Sequence, residues 1–325
     1  MNLSAAALRR IAVALQAAVA LGCAAELNAL HGWPLAIGLL AGIGVVLAIL
    51  GLSVAGAFAI TLFGLGEPEA TRPPIPPALL AMRPARLTPW QSLGCYLREY
   101  AAVFRMFNWL QPFCSHRRLR PAKAPGSCPP LLLVHGYGCN HAVWLDMQPA
   151  LAAAGYHCEA IDLDPVFGDI DQYALEIRAA IARIAATTGQ PPLLLCHSMG
   201  GLAARAALAG RGKPPPCRGI VTLGTPHHGC VLARYGRGFN SRQMRCASAW
   251  LRALAARETA RQRAALVSIF SWHDSIAGPL GTSWMEGAHH VALSGIGHVS
   301  LLRHPVATQA VLRALAQLSA VAPAA

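Results

Sequence analysis

The stretch Leu193-Leu194-Leu195-Cys196-His197-Ser198-Met199-Gly200-Gly201-Leu202 decides how the rest of the chain is read. Leu193–Cys196 is a short apolar run of the kind that forms a buried strand. The alanine-rich segment Gly200 to Ala209 that follows reads as a helix. Ser198 therefore sits between a strand and a helix with small residues around it. This is close to the pattern G-x-S-x-G, in which the chain makes a strained turn that exposes a serine hydroxyl. Cys196 stands where the first glycine would be, and it is small enough for the tight packing that such a turn requires.

The same alternation continues on both sides. Leu131–Val134, Gly219–Leu223, Leu266–Ser271 and His290–Leu293 read as further buried strands. Ala142 to Ala154 and Tyr173 to Ala186 read as helices between them. Strand–helix alternation predicts an α/β fold, a mostly parallel sheet with helices on both faces, over residues 130–325. Such sheets collect their active groups at the carboxyl ends of the strands. After Leu131–Val134 come His135-Gly136-Tyr137-Gly138, whose glycines let backbone N–H groups turn toward a developing negative charge. The N–H groups of Tyr137 and Met199 are the expected oxyanion donors.

In this type of sheet the serine is followed in the chain by an acid and then a histidine. Only Glu258, Asp274 and Glu286 are acidic after Ser198. Glu258 lies in an arginine-rich stretch that offers it neighbours to pair with, and Glu286 precedes a strand rather than following one. Asp274 directly follows Leu266–Ser271, where an orienting carboxylate belongs. His298 follows the last strand in Gly295-Ile296-Gly297-His298 and is the expected base. His227, His228 and His273 are its rivals in nearby loops, while His289 and His290 enter a strand and His197 points away from the hydroxyl. A neutral serine is a poor nucleophile until a base accepts its proton. Ser198, His298 and Asp274 together would supply nucleophile, base and orienting acid.

These residues resemble a known family. Asp162-Leu163-Asp164-Pro165, Gly168-Asp169-Ile170, Cys196 to Leu202, Arg205, Thr222-Leu223-Gly224-Thr225-Pro226-His227-His228-Gly229 and Gly297-His298 resemble bacterial triacylglycerol lipases and the related GPI-inositol deacylase-like hydrolases. The similarity spans roughly residues 130 to 305. It implies an α/β-hydrolase fold and hydrolysis of lipid-like acyl esters through Ser198, His298 and Asp274, with no cofactor. The chain departs from the family at Cys196. It also lacks, between Val299 and Pro305, the aspartate that helps some secreted lipases bind calcium, so no metal is expected. The same triad serves acyltransferases, thioesterases and polyester depolymerases, and an inactive hydrolase could act as a binding module.

Hydrophobic residues make up 54% of the chain and charged residues only 13%, against roughly 25% charged in an ordinary soluble domain. The deficit has an address. Between Glu26 and Glu67 there is no Asp, Glu, Lys or Arg, and Trp33 to Phe63 is long enough to span a bilayer. A weaker apolar run, Ile11 to Ala25, precedes it, with a turn at His31-Gly32-Trp33-Pro34. Residues 1–66 are therefore expected to form a transmembrane helical hairpin, foreign to the secreted lipases, in which Gly38 and Gly42 allow close approach. A single span, or a signal peptide ending near Cys23, is the alternative. Arg9 and Arg10 before the hairpin and Arg72, Arg83 and Arg86 after it predict both ends inside, with the catalytic domain cytoplasmic. A single span would make it periplasmic.

The net charge is +13, almost all from arginine, since Lys123 and Lys213 are the only lysines. There is no zinc-finger spacing, aromatic-rich RNA motif or basic zipper, so no nucleic acid is expected; the charge reads either as attraction to an anionic membrane or as genome composition. The ten cysteines contain no C-x-x-C pair, which leaves no zinc framework and at most a few disulfides. Residues 67–129 read as a proline-rich spacer leading into a helix at 90–113. Leu93, Leu97, Tyr100, Phe104 and Phe107 mark its apolar stripe, laid either on the membrane or on the core. Val231 to Arg263, rich in arginine, lies where the lipases it resembles often carry a lid, and reads either as a basic amphipathic lid or as a solvated helical pair capping the core.

Overall fold

The computed structural model describes residues 3–122, 128–210 and 214–320; Lys123, Lys213 and part of the basic loop before Pro130 lie outside them. Six strands form one sheet: β1 (Leu131–Val134), β2 (Cys158–Ile161), β3 (Leu193–His197), β4 (Gly219–Leu223), β5 (Leu266–Ser271) and β6 (His289–Leu293). Their order is β2-β1-β3-β4-β5-β6 and every pairing is parallel. The four central strands are buried along their whole length, as expected of strands covered on both faces. The edge strand β2 carries Glu159 and only partial burial, and no apolar run marks it in the sequence. Chain direction across the sheet reverses between β1 and β3, which opens a crevice at their carboxyl ends.

The helices are α1 (Ala5–His31), α2 (Leu35–Phe63), α3 (Pro77–Ala81), α4 (Pro89–Arg105), α5 (Gln111–Phe113), α6 (Gln148–Ala153), α7 (Ile170–Thr188), α8 (Met199–Leu208), α9 (Gly238–Gln243), α10 (Ala249–Arg257), α11 (Ala260–Ala264) and α12 (Pro305–Ala320). The predicted helix over 142–154 is broken into a 3-10 turn at His141–Trp144 and the short α6. Helices α7 and α8 bury Ile177, Ile181, Leu202 and Ala203 against one face of the sheet, and α12 buries Val311 and Leu315 against the other.

Helices α1 and α2 are both long and apolar enough to cross a membrane. Gly32, with φ 65°, ends α1 in the left-handed conformation open to glycine, and Pro34 starts α2. The two helices touch backbone to backbone. A Cβ at Gly38 would lie 2.9 Å from the Ala24 Cα, and one at Gly42 would run into Ala20. Elsewhere the hairpin leaves Leu15, Leu40 and Leu52 exposed.

The segment between hairpin and sheet packs on the catalytic fold. Leu79 of α3 is buried with Phe270 and Trp272. Helix α4 has three faces. Cys95, Glu99 and Ala102 are buried toward the core. Tyr96 and Tyr100 donate hydroxyl hydrogen bonds to the Gly51 and Leu47 carbonyls of α2, at 3.0 and 3.1 Å. Leu93, Leu97 and Phe104, three of the five residues in the stripe marked by sequence periodicity, remain exposed together with Trp90. The segment from Val231 through α11 is turn and helix, and it is stapled to α8. Arg205 and Glu258 pair through two hydrogen bonds of 2.7 and 2.8 Å, each side chain only 4% exposed. The partner of Glu258 is thus a residue from the helix after Ser198 and not one of its arginine neighbours. All ten cysteines are free thiols.

Replacing Glu258 with alanine strands the buried Arg205 charge. The expected cost is about 3–5 kcal/mol of stability, read from denaturant unfolding of the solubilised protein. A loss below about 1 kcal/mol, the range of surface pairs, would contradict this.

Candidate active site

Ser198 has φ 54° and ψ −127°, a backbone conformation that L-residues rarely adopt. Its surroundings hold it there. The Ser198 N–H donates to the Leu223 carbonyl at the end of β4 at 3.0 Å, and its carbonyl accepts from the Thr225 hydroxyl at 2.8 Å. Two glycines make the turn sterically possible. A Cβ at Gly136 would lie 2.9 Å from the Ser198 Cβ, and one at Gly200 would lie 2.5 Å from the His135 carbonyl oxygen. The loop after β1 therefore passes directly beside the serine. Cys196 is fully buried in β3 between Val134 and Thr222, and burial pushes its thiol far above the ordinary range, which makes it inert packing.

The acid and base candidates meet. His298, in the loop after β6, and Asp274, in the loop after β5, are joined by a 2.9 Å hydrogen bond between Nδ1 and Oδ2, both side chains buried. The other Asp274 oxygen accepts from the Ile276 and Ala277 N–H groups at 2.8 and 2.6 Å, which fixes the carboxylate plane. With Nδ1 facing Asp274, Nε2 is left for a proton from elsewhere. Burial works to lower the His298 pKa, but the charge and hydrogen bond of Asp274, aided by the Glu99 carboxylate, outweigh it and raise the pKa.

The His298 ring lies against His197, the neighbour of Ser198, with centroids 4.6 Å apart. His197 Nε2 is 3.3 Å from the His298 carbonyl. Burial, with His298 beside it, holds the His197 pKa well below the ordinary value, so His197 stays neutral. The Ser198 hydroxyl makes no hydrogen bond among the described residues; in unliganded sites this contact is commonly loose and tightens with substrate. The Tyr137 and Met199 N–H groups likewise have no acceptor among the described residues, which leaves both available to a developing oxyanion.

The rival histidines have other duties. His227 is buried between the Arg205 guanidinium and the Thr222 hydroxyl. His273 accepts from the Gly295 N–H at 3.1 Å. His290 accepts from the Met285 N–H and stacks on Trp284. Among the described residues no cluster of three His, Cys, Asp or Glu is placed to hold a metal ion.

Several residues that shape the site carry no motif. His135 donates from Nδ1 to the Gly136 carbonyl at 2.9 Å and accepts the Leu163 N–H on Nε2 at 3.0 Å, clamping the loop that holds Tyr137. From α1, Arg9 donates to the Gly138 carbonyl at 3.0 Å. From α2, the Thr61 hydroxyl donates to the Ser275 carbonyl at 3.0 Å. From α4, Glu99 reaches the loop that carries His298. Only Glu99 had a signal that could have found it: Cys95, Glu99, Ala102 and Met106 are spaced as one helix face, and an acid on such a face needs partners inside.

A model of the α/β-hydrolase fold matches residues 129–244. The chain has the α/β-hydrolase fold. It superposes on the mature form of Bacillus licheniformis lipase BlEst2 with TM-score 0.53 and 17% identity, covering 61% of this chain and 96% of that one. Aspergillus fumigatus lipase B aligns with TM-score 0.50 and 16% identity over 64% of this chain and 61% of its own. Among curated proteins, none is similar in sequence. The matched region ends before Asp274 and His298, so for these two residues the argument is geometry.

If His298 is the base, kcat/KM falls on acidification as its imidazole takes up a proton. The raised pKa sets the midpoint of that fall above the ordinary imidazole value of 6.5. Asp274→Asn, which removes the charge and the tautomer control, should lower kcat by about 10⁴-fold. A pH–rate profile of both proteins checks this, and a midpoint below the ordinary value would count against it.

Proposed function

We propose that this protein is a serine hydrolase that cleaves lipid-like acyl esters at a membrane surface. The observation that carries the reading is the buried His298–Asp274 pair, 2.9 Å apart, at the same sheet edge as a serine on a strained strand-to-helix turn. In this reading the Ser198 hydroxyl loses its proton to His298 Nε2 as its oxygen attacks the ester carbonyl. Asp274 holds the imidazole and stabilises its charged form. The Tyr137 and Met199 N–H groups receive the oxyanion. His298 then protonates the leaving alcohol, and a water deprotonated by the same nitrogen releases the acid from the acyl-enzyme. No step calls for a metal or organic cofactor.

Two features support a lipid-like substrate. An open cleft of about 530 Å³ is lined by Leu3 and Leu8 of the hairpin region with Val166, Phe167 and Phe239. Phe167 packs against Tyr137 with ring centroids 5.7 Å apart, so an acyl chain in this cleft would lie close to the oxyanion donors. Exposed apolar residues of the hairpin and of α4 would seat this side of the molecule in a bilayer. Arg234, Arg237 and Arg242 beside the exposed Tyr235 and Phe239 suit anionic headgroups. Both ends of the hairpin contact the catalytic fold, through Arg9 and Thr61, which supports a hairpin over a single span and, with the arginine distribution, a cytoplasmic catalytic domain.

The test is hydrolysis of p-nitrophenyl esters from about two to about sixteen carbons by detergent-solubilised wild type and Ser198→Ala, in which loss of the nucleophile should cost several orders of magnitude. Activity lost in the variant and greatest on long chains supports the proposal. A short-chain optimum replaces the lipase with an esterase. Equal inertness of both proteins on every ester sinks ester hydrolysis and turns attention to acyl transfer and thioesters.

A further inference from the structure

We infer that Glu99, on the juxtamembrane helix α4, is a positioning residue for His298. The inference rests on the hydrolase reading proposed above. Glu99 is fully buried and comes from outside the region matched by the fold model. One of its oxygens accepts from the Ser275 hydroxyl at 2.6 Å and from the Val299 N–H at 2.9 Å. The other accepts from the Ser300 N–H at 2.8 Å. The Ser275 hydroxyl in turn accepts the His298 N–H at 3.3 Å. The carboxylate thus grips His298 through one intervening hydroxyl and grips the two residues that follow it directly. Gly297, just before His298, has no room for a Cβ because the Glu99 side chain occupies that space. The loop carrying the base is held on both sides of the imidazole by one side chain.

A plain loop fastener would not need a charge. Among the described residues Glu99 has no ion-pair partner, and a buried carboxylate without a counter-ion is costly. A neutral amide would keep the two contacts made by one oxygen but would turn its NH2 toward the Ser300 N–H, which is also a donor. The carboxylate supplies the second acceptor there and, in addition, negative charge beside the imidazole. The titratable groups around His298 are Asp274 from the loop after β5, the neutral His197 from the end of β3, and Glu99 from α4. Arg98, the next residue back along α4, turns its guanidinium to the Gly295 carbonyl at 3.1 Å, and the Cys95 thiol one turn earlier is pushed up to about 11, chiefly by burial. Two buried carboxylates therefore flank one imidazole, and both favour the imidazolium that forms when Ser198 gives up its proton. Because α4 is also bonded to α2 through Tyr96 and Tyr100, the helix that sets the base is the one packed against the membrane hairpin.

The experiment uses the full-length solubilised chain and compares wild type with Glu99→Gln and Ser275→Ala. It measures kcat, KM, the pH profile and thermal unfolding, with Ser198→Ala as the inactive control. Glu99→Gln should lower kcat by about tenfold or more, as expected for a misplaced base, and leave KM within about twofold. Its acid limb should move to lower pH, since removing a negative charge makes the imidazolium easier to deprotonate. Ser275→Ala, which breaks the bridge and keeps the charge, should lower kcat without moving the limb. A Glu99→Gln enzyme that unfolds earlier but keeps wild-type kcat and the wild-type acid limb overturns the inference and leaves Glu99 a structural residue. If Glu99→Gln does not fold, an unchanged kcat in Ser275→Ala overturns it instead. Wild type no more active than Ser198→Ala is a different failure: the hydrolase reading then falls, and this inference with it.

Discussion

The turn at Ser198 is the constraint around which the rest of the site is built. A non-glycine residue at φ 54° costs of order 1–3 kcal/mol and persists only when its neighbours over-determine it. Here they do so from three directions: β4 through the Leu223 carbonyl, the following loop through Thr225, and β1 through the close passage of Gly136 and the His135 carbonyl against Gly200. The same closeness brings the Tyr137 N–H group to the serine. It also requires small side chains at the crossing, which explains why cysteine is tolerated at 196 and why glycine stands at 136 and 200. Strain at the serine and the position of the loop after β1 are two consequences of one packing arrangement.

Three of the loops at this sheet edge have a tether from the N-terminal third of the chain. Arg9 bonds the loop after β1, Thr61 the loop after β5, and Glu99 the loop after β6. Helix α4 adds the bidentate pair of Arg105 with Asp146, 2.8 Å at its shorter contact, on the segment following β1. Hairpin and α4 therefore touch the loops of the site at several separate points.

Burial gives the charged groups of this site their distinct characters. Burial keeps His197 and His227 neutral, while His298, equally enclosed, is shifted upward because carboxylates face it. The buried Arg205–Glu258 pair is fully matched, so its contribution is to hold the segment after α10 on α8. Its disruption costs more than its presence contributes.

Much of this was legible along the chain. The central strands are continuous apolar runs because both their faces are covered, and the serine turn, the glycine loop after β1 and the order of Asp274 and His298 are local patterns placed at strand ends. The hairpin was legible for the same reason: lipid forbids charge over a long run, and Gly38 and Gly42 mark where two helices can touch. The edge strand β2 was not, since half exposure removes its apolar signature. On α4 the conspicuous periodicity of Leu93, Leu97 and Phe104 belongs to the outward face, and the buried face is marked by the less hydrophobic Cys95, Glu99 and Ala102. By itself, then, the sequence determined the central strands, the two long apolar helices and the residues proposed as nucleophile, acid and base, because each is marked by a local pattern of residues. Only the tertiary structure decided that Arg9, Thr61 and Glu99 support that triad, that Glu258 belongs to Arg205, and that His197 lies behind His298. These are contacts between residues distant along the chain, and which of them form depends on how the elements pack, a choice that no local spacing encodes.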